Sequence, residues 1–158
     1  MQQEAKKVSE SMMEQVYQLR PEHLNGAGRL FGGILMEWID EVAGLTAIRH
    51  SQSHVVTASV DNLSFLRGVS QNEIVVLIGK ITYVGNTSME VRVDTYVETL
   101  DGFRHPVNRA YLTLVAVDES GRPKKVPGLI VESIGEQAEW EAGKKRCELR
   151  KQRKKEGF

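Results

Sequence analysis

The chain has 158 residues, 41 % of them hydrophobic, which is enough for one domain with a substantial core. Its single cysteine, Cys147, excludes an intramolecular disulfide and a cysteine-rich metal site, and it fits a reducing, cytoplasmic location. Formal charge is zero, but from Lys144 onward there are eight Lys/Arg and two Glu, so an acidic body carries a basic tail.

The first ten residues are polar, read as a frayed end, and lack the apolar stretch of a secretory signal. No run approaches the roughly 18 apolar residues of a membrane span. Met12 to Leu19 is expected to form a first strand, closed by Pro21. A glycine-rich loop, Asn25-Gly26-Ala27-Gly28-Arg29, leads into the longest apolar pattern in the chain. Phe31, Ile34, Leu35, Trp38, Ile39, Val42, Leu45 and Ile48 recur at spacings of three and four, which predicts a helix with one broad apolar face. Gly32 and Gly33 open that helix, and Asp40 lies in its middle beside apolar Ile39. A carboxylate near a buried face carries a desolvation cost and marks a candidate site.

The rest alternates as strands. His54–Phe65, Glu73–Val84, Ser88–Leu100 and Phe103–Val117 are joined by short turns. Gly85-Asn86 is read as a tight turn with positive φ, and Asp101-Gly102 as a hairpin. Asp118–Gly128 is a loop, and from Glu132 the chain reads as a charged helix, more often solvated than packed. A strand, a long helix and four antiparallel strands predict an α+β fold, an antiparallel sheet wrapped around one central helix. Residues 1–130 would form the domain and 131–158 a charged helical tail. Such a sheet leaves bare edges, so a dimer paired edge to edge is the expected minimum unit.

Four blocks in order carry a resemblance. Asn25-x-x-Gly28-x-x-Phe31-Gly32-Gly33 comes first, then Trp38-Ile39-Asp40-Glu41. Val56-Thr57-Ala58-Ser59-Val60-Asp61 with Phe65 follows, then Val84-Gly85-x-Thr87-Ser88-Met89. Together they resemble the hotdog-fold acyl-CoA thioesterases, in the group of YciA-like and cytosolic acyl-CoA hydrolases, over residues 12 to 130. The resemblance implies a hotdog fold, hydrolysis of fatty acyl-CoA to fatty acid and CoA, and dimers assembled as hexamers, trimers of dimers. It places active sites at the dimer interface, where Asn25 of one chain and Asp40 of its partner act on the thioester. The chain departs from the pattern at Arg67-Gly68-Val69-Ser70-Gln71-Asn72, where relatives often carry Pro-Val-x-x-Gly-Asp, and at Asn86, where Arg is common. Both stretches lie near where a CoA nucleotide is expected.

Thioester hydrolysis needs an activated water or a nucleophile, donors for the oxyanion and a departing thiol. Asp40 can serve as general base or attack directly; the bland alternative is a solvated helical Asp. Asn25 offers a donor and an acceptor, for water or for the carbonyl, although Asn-Gly is also a common turn. Gly32 and Gly33 offer unobstructed N–H groups at a helix start for the oxyanion, and glycine there also suits close packing. Thr57 can hydrogen-bond near Asp40, or be merely a strand-favouring residue. Arg67, Gly85, Asn86, Thr87 and Ser88 are candidates for CoA. Acyl-chain length would be set by residues such as Leu35, Trp38, Leu63 and Phe65.

The four histidines are scattered, so no metal is expected. No GxSxG or P-loop is present, and no cofactor is expected beyond the CoA of the substrate. Nucleic acid is an unlikely partner despite the basic tail, since too little chain precedes the loop for a DNA-binding module. A non-catalytic acyl-CoA-sensing module is the alternative to the enzyme.

Overall fold

A computed structural model describes residues 4–158. In chain order the elements are β1 (Lys6–Lys7), α1 (Val8–Ser11), β2 (Met13–Gln18), a 3-10 turn (Pro21–His23) and α2 (Gly32–Ser51). They continue with β3 (His54–Asp61), β4 (Ile74–Val84), β5 (Ser88–Glu98), β6 (Arg104–Val117), β7 (Leu129–Ile130) and α3 (Ile134–Glu156). Five strands form one antiparallel sheet in the order β2-β4-β5-β6-β3, and all five touch α2.

The helix packs as its spacing predicts. Leu35, Trp38, Ile39, Val42, Ala43 and Ala47 are buried against inward-facing residues such as Leu77, Ile81, Val91, Val93, Leu112 and Leu114. The closest approach is at Gly79 of β4. A Cβ there would stand 2.8 Å from Val42 Cγ1 and 2.5 Å from Thr46 Oγ1, so glycine lets the helix sit directly on the strand. Gln52, at φ 53°, ends α2 with its N–H on the Ile48 carbonyl.

Several expectations are corrected. The chain near its N-terminus is not frayed over the described residues: Lys6 and Lys7 pair in parallel with Leu129 and Ile130, and Val8 and Ser11 are buried. Those partners lie more than a hundred residues away, beyond the reach of any local pattern. β3 stops at Asp61, not Phe65. Asn62 turns to φ 42°, and the chain leaves the ladder although apolar alternation continues through Leu63 and Phe65. The β4–β5 turn takes no positive φ at Gly85 or Asn86. It closes through Gly85 N–H on the Ser88 carbonyl at 2.9 Å. A Cβ at Gly85 would stand 2.8 Å from Ser88 Oγ, so a larger residue there would turn the Ser88 hydroxyl aside. The β5–β6 turn does use positive φ, at Gly102.

The charged helix α3 is not simply solvated. It opens with a capping box, Ser133 with Glu136, and lies on the outer face of the sheet, opposite α2. The outward alternation of β5 presents Glu90 and Arg92, which α3 answers with opposite charges, and Asp94, which Arg92 and Arg109 hold within the sheet at 2.8 Å each. Arg146 meets both oxygens of Glu90 at 2.8 and 2.9 Å and lies 3.6 Å above the Tyr111 ring. Glu139 reaches Arg92 and accepts from Tyr111. Arg150 and Arg153 clasp Asp61 at the end of β3, each at 3.1 Å. Gly143 lets the helix touch the sheet, because a Cβ there would come within 2.7 Å of Tyr83. Among the described residues no helix is long and apolar enough to cross a membrane.

Candidate active site

The loop before α2 is built on the Asn25 side chain. Its Oδ1 accepts the N–H of Ala27 at 2.9 Å and of Arg29 at 3.2 Å. The Asn25 N–H and carbonyl close the same turn against Arg29 and Gly28. Two backbone donors can be satisfied only by the oxygen end of the amide. The NH2 end therefore faces away from the turn as a donor, with no partner among the described residues.

α2 begins without a side-chain cap. Ile34 and Leu35 donate to the Phe31 carbonyl, whereas the N–H groups of Gly32 and Gly33 precede the first helical acceptor and are left bare, as helix starts require. Gly33 also makes room for the Phe31 ring, which a Cβ would strike at 2.6 Å. Beside Gly32 opens a cavity of about 370 Å³, walled by Leu30, Leu35, Phe65, Val69 and Val107 with Arg67 at its rim.

Asp40 lies two turns further along α2 and is exposed on the single chain, so its expected burial is not met within one protomer. Its partner is Thr57 of β3, whose hydroxyl donates to Asp40 Oδ1 at 2.6 Å and leaves Oδ2 uncommitted. The register of β3 against β6 shifts between Thr57 and Ser59. Such a bulge redirects a side chain on a sheet edge. β3 is an outer strand, paired on one side only, and Val56 and Val60 beside Thr57 are about half exposed.

The spacing of these groups matters. Gly32 and Asp40 are eight residues apart in one helix, about 12 Å along its axis at 1.5 Å per residue. Reacting atoms must approach to about 3–3.5 Å. One chain therefore does not bring its own α2 N-terminus and its own Asp40 into direct contact with the same carbonyl. The turn of Gly85, Asn86, Thr87 and Ser88 is more distant still. It lies beyond the far end of β4 from Arg67, about 35 Å away at the rise of a strand. There the Asn86 carbonyl accepts from Val126 and the Thr87 carbonyl from Ala116. The structure thus brings together Asn25, Gly32, Gly33 and Arg67 at one place, Asp40 and Thr57 at a second, and Gly85–Ser88 at a third.

Of the expected chain-length residues, Leu35 and Phe65 line the cavity. Trp38 does not: it stacks on Tyr17 at 4.1 Å with His23 edge-on at 5.0 Å. Leu63 packs on the core. Val69 and Val107 are not among the expected residues: Val69 lies in the loop before β4 and Val107 reads as any strand valine, and only the fold carries them to Gly32.

Residues 27–101 match the Thioesterase superfamily. An acyl-CoA thioester hydrolase of Bacillus subtilis is 37 % identical over 92 % of this chain and 86 % of its own. A hexameric acyl-CoA thioesterase superposes with a TM-score of 0.91 at 38 % identity, over 95 % of this chain and 97 % of its own. The acyl-CoA hydrolase of Staphylococcus aureus, solved with butyryl-CoA, CoA and CoA disulfide, superposes with a TM-score of 0.91 at 36 % identity, over 97 % of this chain and 94 % of its own. It has also been solved as Asn→Ala, Asp→Ala and Thr→Ala variants. The chain has the hotdog fold and belongs to the acyl-CoA thioester hydrolases of the Thioesterase superfamily.

Proposed function

We propose that the protein hydrolyses acyl-CoA to a carboxylic acid and free CoA, at sites each built from two copies of the chain. The observation that carries this is the separation of about 12 Å between the bare N–H groups of α2 and Asp40 of the same helix. An antiparallel partner set against β3 brings the Asp40 of one chain toward the Asn25–Gly33 segment of the other. The bare strand edge and the exposed Val56 and Val60 support that pairing. It would also bury Asp40. In the S. aureus enzyme the substituted Asn, Asp and Thr are fifteen and seventeen residues apart, the spacing of Asn25, Asp40 and Thr57. The hexameric relative supports a trimer of such dimers.

In this arrangement each group has a stated task. The Asn25 NH2 and the N–H groups of Gly32 and Gly33 meet the carbonyl oxygen and stabilise it as negative charge develops. Thr57 holds Asp40 by Oδ1, so Oδ2 acts, taking a proton from water or attacking the carbonyl itself. Either route breaks the carbon–sulfur bond, and the sulfur leaves as CoA thiolate and is then protonated; direct attack leaves an anhydride on Asp40 that water hydrolyses to release the acid and restore the carboxylate. Arg67 of one chain and Gly85–Ser88 of another can contact one CoA only from different protomers. No cofactor is needed, since CoA enters with the substrate. A cytoplasmic place of action suits the single free Cys147.

The test is thiol release from straight-chain acyl-CoAs of increasing length, by wild type, Asp40→Ala and Asn25→Ala. Turnover by wild type that falls by roughly a hundredfold or more in each variant is expected for losing a catalytic group. A folded, oligomeric wild type that binds CoA and releases no thiol from any substrate would make it a sensing module instead.

A further inference from the structure

Against Gly68, a residue that lines the cavity beside Gly32, lies an exposed cation that no carboxylate in the described chain neutralises. Arg29 closes the turn built on Asn25. Its N–H donates to Asn25 Oδ1, its carbonyl accepts the Asn25 N–H, and a backbone bridge ties it to Ser70. The backbone is thus fixed on two sides. Its side chain is laid along Gly68: a Cβ on that glycine would stand 2.8 Å from Nη1, 3.4 Å from Cδ and 3.6 Å from Cζ. Gly68 and the adjacent Arg67 both line the cavity. Arg67 is already engaged, by Glu73 at 3.3 Å and the Gly68 carbonyl at 3.2 Å. The Arg29 guanidinium has no acceptor among the described residues.

Two guanidiniums therefore stand about Gly68, Arg67 on the cavity wall and Arg29 beside it, and only Arg67 is balanced. The walls behind them, Leu30, Leu35, Phe65, Val69 and Val107, are apolar, and the bare N–H groups of α2 open beside them. That combination suits a ligand with an apolar body and an anionic oxygen group. A guanidinium with no carboxylate partner can turn to such a group without breaking an existing ion pair.

We propose that Arg29 binds an anionic oxygen group carried by the substrate, either a phosphate of the CoA moiety or the distal carboxylate of a dicarboxylic acyl group. The proposal rests on the thioesterase reading above and adds a specificity-determining residue to it. Gly68 is the positioning residue, because its missing side chain is the space the guanidinium fills.

The experiment compares KM for three thioesters: butyryl-CoA, butyryl-pantetheine, which has no phosphate on that arm, and glutaryl-CoA, which adds a carboxylate. Wild type is run beside Arg29→Gln, Arg29→Lys and Gly68→Ala. If Arg29 reads a phosphate, the preference for butyryl-CoA over butyryl-pantetheine falls about tenfold or more in Arg29→Gln, the scale of one charge-assisted hydrogen bond. If it reads a carboxylate, the preference for glutaryl-CoA over butyryl-CoA falls by that factor instead. Gly68→Ala keeps the charge but fills its seat, and shifts the same ratio in the same direction; Arg29→Lys retains part of it. Both ratios unchanged in a folded Arg29→Gln would overturn the proposal. Should wild type release no thiol from any of the three, the hydrolase reading falls separately. The Kd values of the same three thioesters then replace KM, and the same ratios decide the role of Arg29.

Discussion

Two inactive variants should make an active enzyme when mixed. Asp40→Ala keeps an intact Asn25, Gly32 and Gly33; Asn25→Ala keeps an intact Asp40 held by Thr57. Each homodimer lacks one half of both its sites. In a mixed dimer, one site joins the intact loop of the first chain to the intact carboxylate of the second, and the other site is doubly defective. Equal amounts, dissociated and reassociated at random, give half mixed dimers, so about a quarter of wild-type sites return under a two-fold symmetric interface. The expectation follows from the distance of about 12 Å along α2, which keeps the two halves of one chain from touching the same carbonyl directly. Thiol release measured before and after co-refolding is the assay, with size-exclusion chromatography confirming equal assembly. A mixture no more active than the sum of its two components would refute the reasoning and place the whole site within one chain.

Three further outcomes follow from the packing. Arg146→Ala should destabilise the protein by about 3–5 kcal/mol, because Glu90, only 3 % exposed, is left buried without its cation; thermal or urea unfolding reads this, and a loss under about 1 kcal/mol would mean that α3 is held by other contacts. Gly79→Ala should cost about 1–3 kcal/mol as the new methyl meets Val42 and Thr46, and an unchanged urea midpoint would show that α2 does not rest on β4 as described. His50 is fully buried, with Nε2 at 3.0 Å from the Pro127 carbonyl, and burial pushes its pKa below 6.5. The unfolded chain then binds a proton that the folded chain refuses, so this contribution is constant above about pH 6.5 and stability falls as pH drops below it, by up to about 1.4 kcal/mol per unit. Urea midpoints between pH 7.5 and 5.5 should fall less steeply in His50→Gln than in wild type, and equal slopes would remove His50 from the account.

The central helix and β4, β5 and β6 are legible because their apolar patterns are local. Leu35, Trp38, Ile39 and Val42 recur at helical spacing, and Met89, Val91 and Val93 alternate inward. The end of β3 was not legible, because Leu63 and Phe65 continue the alternation while Asn62 leaves the strand. α3 was misjudged for a related reason. Its apolar content is low, and what holds it is charge matched across the chain, Arg146 to Glu90 and Arg150 to Asp61, which no local pattern displays. At the candidate site, Asn25 and Asp40 follow from the family resemblance, since an Asn-Gly pair by itself reads as an ordinary turn, and Thr57 from its place on the strand expected near Asp40. The contact between Asp40 and Thr57 is present, whereas Val69, Val107 and the seat of Arg29 on Gly68 needed the third dimension.

The strand that steadies Asp40 is also the strand left bare for a second chain. On the two-copy reading, catalysis and assembly share one strip of backbone, and activity becomes a function of concentration. A newly made chain would be inert toward the thioesters around it until it met another. Dilution below the dimer dissociation constant would switch the enzyme off without any effector, and a substrate that bridges two chains would tighten the pair it needs.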